Sequence, residues 1–145
     1  MSIAEIMAKA NVPNGRSLLL ADFGWNQYIN TVDATDQMVS KQPEVIRAFL
    51  RATAEGWRQY IADPASANAE INKLNPQLDA AALNSAYDII RNFKLVEGGE
   101  AAGGKIGIIN GARIEKFINE MTEIGALPAS PDYQKSYTTM FMGAL

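Results

Sequence analysis

The chain has 145 residues, a net charge of −3 and 48% hydrophobic residues, so it can build one ordinary globular core and has no bulk attraction to nucleic acid or anionic membrane. It contains neither cysteine nor histidine. That removes disulfides, thiol catalysis, thiolate or imidazole metal sites and histidine-based triads, and it weighs against most hydrolytic enzymes.

The first predicted element is a short helix over Ser2–Ala10, with Ile3, Ile6 and Met7 on one face and a capping box from Ser2 and Glu5. The acid at Glu5 and the lack of an apolar core segment argue against a secretory signal here, and no apolar run approaches the ~20 residues of a membrane span. On this basis the chain reads as soluble, without an export signal of its own. Pro13-Asn14-Gly15 is a turn. Ser17–Phe23 and Tyr28–Thr35 read as two short strands rich in β-formers, joined by a loop through Gly24, Trp25, Asn26 and Gln27.

Thr35 is placed to cap a short helix through Ser40. Gln42-Pro43 interrupts it, and Pro43 suits the first turn of a long helix to about Ala62. On that helix Ile46, Phe49, Leu50, Thr53, Trp57, Tyr60 and Ile61 recur at spacings of three and four, one wide apolar face. Gly56 within it costs about 1 kcal/mol against alanine, tolerable where another backbone approaches closely. Asp63-Pro64 forms a helix-to-helix corner, the Asp63 carboxylate capping a helix over Pro64–Leu74 whose Ala67, Ile71 and Leu74 face inward.

After the Asn75-Pro76 break, a helix spans Asp79–Phe93 with Leu83, Ala86, Tyr87, Ile90 and Phe93 inward. Glu97–Gly107 is a glycine-rich loop. Asn110 caps a helix over Gly111–Ile124, with Ile114, Phe117, Ile118 and Met121 inward and Gly125 at its C′ position. Tyr137, Met140 and Phe141 in the tail are expected to dock on the rest of the chain. No internal repeat interrupts residues 1–145, which read as a single domain.

Three motifs invite a chemical reading. Gly99 to Lys105 fits part of a phosphate-binding loop, but Ile106 stands where Ser or Thr would bind Mg²⁺, so the segment reads as an inter-helix loop and no cofactor is expected. Asp33, Asp36 and Glu44 lie close in sequence without any sign of a shared cleft, and Asp36 simply suits a helix start. Asp22, Trp25, Asn26 and Tyr28 combine aromatic faces with one carboxylate and one amide, the equipment of a small-ligand pocket. Trp57 and Tyr60 read as core.

The run from Gln42 to Asp79, with Pro43, Val45, Phe49, Leu50, Ala52, Gly56, Trp57, Tyr60, Asp63, Pro64 and Ala67, resembles the solute-binding proteins of ABC importers for nitrate, sulfonates, taurine and thiamine-pyrimidine precursors, the NMT1/THI5-like group. The segment from Ala21 to Val39 resembles that group's returning strand, loop and strand. The stretch from Gly104 to Leu127 resembles its late helix, with Met121 in place of a leucine and Ala126 between Gly125 and Leu127. Tyr137 and Phe141 resemble its closing motif.

The resemblance implies an α/β, predominantly helical chain: part of a type II periplasmic-binding-protein fold with five or six helices and two or three short strands. It implies the C-terminal portion of a two-lobed protein that binds a small organic or oxyanion solute without chemistry and docks on an ABC permease outside the cytoplasm; a chain complete as it stands would be cytoplasmic. Asp22, Trp25, Asn26 and Tyr28 are the expected ligand contacts, and no metal is expected. Helices that lie against a sheet in a whole member would here be bare. Several hundred Å² of apolar surface at ~25 cal/mol per Å² amounts to ~10 kcal/mol, so self-association as a homo-oligomer is expected. The other reading is a free-standing helical interaction protein that has lost transport.

Overall fold

The computed structural model describes residues 18–97, 105–128 and 132–144. Its five α-helices are α1 (Asp36–Lys41), α2 (Pro43–Ala62), α3 (Ala65–Leu74), α4 (Ala80–Asn92) and α5 (Gly111–Glu123), with 3₁₀ turns at Leu20–Phe23, Tyr133–Lys135 and Met142–Ala144. The predicted helix over Ser2–Ala10, the Pro13-Asn14-Gly15 turn and most of the glycine-rich loop lie outside the described residues.

The caps follow from local chemistry. Thr35 Oγ1 accepts from the Met38 N–H, Asp79 Oδ1 from Ala82 and Asn110 Oδ1 from both Ala112 and Arg113. Pro43 opens α2 and Asp63 Oδ1 accepts the Ala65 N–H at 2.9 Å, which turns the chain from α2 into α3. Helix α5 ends in a Schellman motif: Gly125 has φ +74°, its N–H reaches the Thr122 carbonyl, and the Ala126 N–H reaches that of Met121. The same pair of bonds closes α4, from Lys94 to Arg91 and from Leu95 to Ile90, but there a lysine with φ 49° occupies the left-handed position.

Helices α2, α3 and α4 are joined by an aromatic ladder. Trp57, Tyr60 and Tyr87 stand edge to face, each successive pair of centroids 5.7 Å apart. The Tyr60 hydroxyl donates to Asn68 Oδ1 and the Tyr87 hydroxyl to the Ile61 carbonyl at 2.7 Å. Burial of the Tyr60 phenol raises its pKa, and neighbouring Tyr87 adds to the shift. The tail docks on α2, where Phe141 is buried and the Arg47 guanidinium lies 5.4 Å from its ring centroid.

Four expectations are corrected. No strand occurs among the described residues. In place of the strand ending at Phe23, a 3₁₀ turn forms, closed by Gly24 at φ +94° and by bonds from Gly24 to Ala21 and from Trp25 to Leu20. Tyr28–Thr35 is non-helical without a ladder, because β-forming side chains specify a pleated surface and not the second strand it requires. The described architecture is therefore helical and not α/β. Among the described residues Gly56 faces open space: a Cβ there would meet none of them within 4 Å, so no described backbone approaches it. Finally, Phe49, Leu74 and Phe93 are 57%, 77% and 40% exposed, so the apolar faces are wider than the surfaces that cover them. The buried apolar side chains among the described residues are Ile46, Ala54, Leu83, Ile106 and Phe141.

Candidate functional site

The first turns of α5 organise the segment from Gly24 to Asp33. Arg113 sits one turn into α5, directed there by the Asn110 cap. Its Nε donates to the Asn26 carbonyl and its Nη2 to the Gln27 carbonyl, both at 2.8 Å. The same guanidinium lies 4.0 Å from the centroid of the Tyr28 ring. One turn further along, Lys116 Nζ donates to the Gly24 carbonyl at 2.9 Å, and Phe117 meets Trp25 edge to face at 5.7 Å. Spacings of three and four on α5 thus present one face to the five consecutive residues Gly24 to Tyr28.

Tyr28 closes the junction from the other side. The Asn110 N–H donates to its hydroxyl at 2.8 Å, and the hydroxyl donates to the Ile108 carbonyl at 3.3 Å. One phenol therefore satisfies both a donor and an acceptor of the turn that leads into α5.

Beside this junction lies a cleft of about 200 Å³ lined by Tyr28, Thr31, Val32, Asp33, Ile109, Arg113, Ile114, Phe117, Ser136 and Tyr137. Apolar walls carry a few polar groups, and the volume falls below the ~300–1,000 Å³ of drug-sized sites, so the space suits a small solute. Thr31 Oγ1 donates to Asp33 Oδ1 at 3.0 Å, orienting that carboxylate. Tyr137 reaches across to α5 at Gly111, where a Cβ would stand 2.6 Å from its hydroxyl. A glycine at that position lets the tail approach the helix start.

Of the four predicted contacts, Tyr28 lines the cleft. Trp25 and Asn26 belong to the same junction but do other work, Trp25 packing on Phe117 and Asn26 supplying a backbone carbonyl to Arg113. Asp22 is exposed in the 3₁₀ turn and is not among the lining residues. Sequence reasoning placed Phe117 inward and Tyr137 in a docking tail without assigning either to a site, and it did not single out Arg113 or Ser136. The available signal was the Asn110 cap, which fixes Arg113 in the first turn of α5, though nothing local names its partners more than 80 positions away.

A second hollow of about 360 Å³ lies between α3 and α4, lined by alanines, Leu83, Pro64 and the amides of Asn68, Asn72 and Asn84. Asn68 and Asn72 already bond Tyr60 and the Leu78 carbonyl, so this hollow reads as imperfect helix packing. Among the described residues no group of three acidic side chains could hold a metal ion, and no helix is long and apolar enough to cross a membrane.

Compared with known proteins, residues 2–67 match the family model described as NMT1/THI5 like. No curated protein and no solved structure matches the chain. The matched span contains α1, α2 and the whole segment that Arg113 and Tyr28 hold against α5, including the cleft residues from Tyr28 to Asp33. Residues 2–67 of this chain are NMT1/THI5-like in sequence.

Proposed function

We propose that the chain is a solute-binding component, or part of one, of an ABC importer, and that it takes a small organic or oxyanion solute at the cleft between residues 28–33 and the start of α5. One observation carries the reading: the wall of the cleft formed by Tyr28, Thr31, Val32 and Asp33 falls inside the span that matches the NMT1/THI5-like family, which implies a solute-binding role in transport. The role is binding without chemistry, because the sequence offers neither a thiol nor an imidazole. Residues 1–145 act as one domain, the partner is an ABC permease, and the working compartment is extracytoplasmic. Trp25 and Asn26 hold the wall, Tyr28 contacts solute, and Asp22 stands outside the cleft. A second lobe closing over the solute would complete its enclosure.

The test is a thermal-shift screen with nitrate, short alkyl and aminoalkyl sulfonates and aminopyrimidines. A binder raises the melting temperature in a dose-dependent way, and Tyr28→Ala removes the shift. A shift that survives Tyr28→Ala unchanged would place the solute elsewhere.

A second reading, a free-standing helical interaction protein, is favoured by exposed apolar side chains such as Phe23, Ile29 and Phe49. It predicts that no member of the panel shifts the melting temperature.

A further inference from the structure

The polar atoms around the cleft decide what chemistry it can receive. Of the four hydroxyls that line it, three have already spent their protons. Thr31 Oγ1 donates to the Asp33 carboxylate, Ser136 Oγ to the Tyr133 carbonyl at 2.6 Å, and the Tyr28 hydroxyl to the Ile108 carbonyl. The direction is fixed in each case, because a carboxylate or a carbonyl oxygen can only accept.

The backbone donors at the start of α5, where an anion would ordinarily settle, are spent as well. The Ile109 N–H reaches Met142 Sδ at 3.4 Å, the Asn110 N–H reaches the Tyr28 hydroxyl, and the Ala112 and Arg113 N–H groups both reach Asn110 Oδ1. Arg113 gives Nε and Nη2 to two carbonyls and lays its guanidinium on the Tyr28 ring, so its charge is balanced within the wall. Besides its remaining N–H groups, the lining side chains keep one donor, the Tyr137 hydroxyl. An oxyanion, which needs several donors at once, finds few left.

The cleft offers lone pairs instead. Asp33 is the one carboxylate among the lining residues, and among the described residues it forms no ion pair. Thr31 Oγ1 and Ser136 Oγ, having donated, can still accept. We propose that the cleft takes its solute by an ammonium group, with the Asp33 carboxylate as charge partner, the two hydroxyl oxygens as further acceptors, and Val32, Ile109 and Ile114 against the carbon body. The proposal rests on the solute-binding reading and narrows it: an organic ammonium is preferred to a bare oxyanion.

Amide NMR titration of the full chain at pH 7 and constant ionic strength tests it with three probes of one shape: butylammonium chloride, sodium butanesulfonate and 1-butanol. Butylammonium shifts residues 28–33, 109–117 and 136–137 saturably, with a dissociation constant at least about tenfold below those of the other two. Asp33→Asn keeps the acceptor for Thr31 and the shape of the wall, and circular dichroism confirms its helix content. It weakens butylammonium at least about fivefold and leaves the response to butanol unchanged. Butanesulfonate or nitrate binding at these residues as tightly as butylammonium overturns the proposal but leaves the solute site standing, and so does a butylammonium affinity indifferent to Asp33→Asn. Saturable shifts at none of these residues, from the three probes or from nitrate, aminoalkyl sulfonates and aminopyrimidines, overturn the proposal and the solute site together.

Discussion

The two ends of the molecule are held together by different means. From Asp36 to Asn92 the chain is a helical block whose internal contacts are short in sequence: caps two or three residues away, a corner at Asp63 and an aromatic ladder from Trp57 to Tyr87, with the tail at Phe141 docked on α2 from outside the block. The cleft half joins residues 24–28 to residues 108–117 through a handful of polar bonds from Tyr28, Arg113 and Lys116, each bridging 80 or more positions. The difference teaches where the chain is vulnerable. Loss of one cap frays one helix, whereas loss of one tether opens the site, because few other contacts close the same loop.

The largest expected effect is therefore at Arg113. Arg113→Met keeps the aliphatic stem but removes both carbonyl bonds and the stack on Tyr28, costing about 2–3 kcal/mol. It should free Trp25 from Phe117, seen as a red shift of Trp25 fluorescence in a Trp57→Phe background. If the helical block melts with it at the same lowered temperature, the two halves form one cooperative unit and the contrast drawn above fails.

Tyr28→Phe comes next. It leaves the Asn110 N–H and the Ile108 carbonyl without their shared partner, a loss of about 1–2 kcal/mol read by chemical denaturation. Protection of the Asn110 amide against hydrogen exchange should fall, while amides in the middle of α2 keep theirs.

Two substitutions should strengthen the helical block without touching the cleft. Lys94→Gly relieves a left-handed lysine at the end of α4 and should stabilise by about 1 kcal/mol. Gly56→Ala should add about 0.5–1 kcal/mol, read by chemical denaturation, since the added Cβ meets none of the described residues within 4 Å. A loss in either case would show that a contact absent from the isolated chain governs that position.

The smallest effect is a pH dependence. The folded state raises the Tyr60 pKa above that of the unfolded chain, so at alkaline pH it holds the phenolic proton longer. The associated stability is present below about pH 10 and is lost as pH rises through the folded pKa. Thermal melts from pH 8 to 11 should decline at the top of that range, and the decline should be shallower in Tyr60→Phe.

Features set by neighbours in sequence were legible before the structure. Thr35, Pro43, Asp63, Asn110 and Gly125 all act where their side chains and dihedrals predict, because a cap is satisfied within one turn. The strands were misread because a β-forming composition does not reveal whether a partner strand exists. Phe49, Leu74 and Phe93 were misread for a related reason: periodicity gives the width of an apolar face and says nothing of what covers it. At the site, the aromatic-rich segment after Gly24 was legible and its tether was not. An arginine in the first turn of a helix looks like any solvated cation until the fold brings two carbonyls and a phenol ring to it.

The central claim is that the junction of Tyr28 with α5 builds a solute site, and backbone amide NMR during titration tests it most directly. With nitrate, alkyl and aminoalkyl sulfonates and aminopyrimidines added in turn, at least one should give saturable shifts confined to residues 28–33, 109–117 and 136–137. Saturable shifts centred on other residues, or none from any member of the panel, would contradict the account.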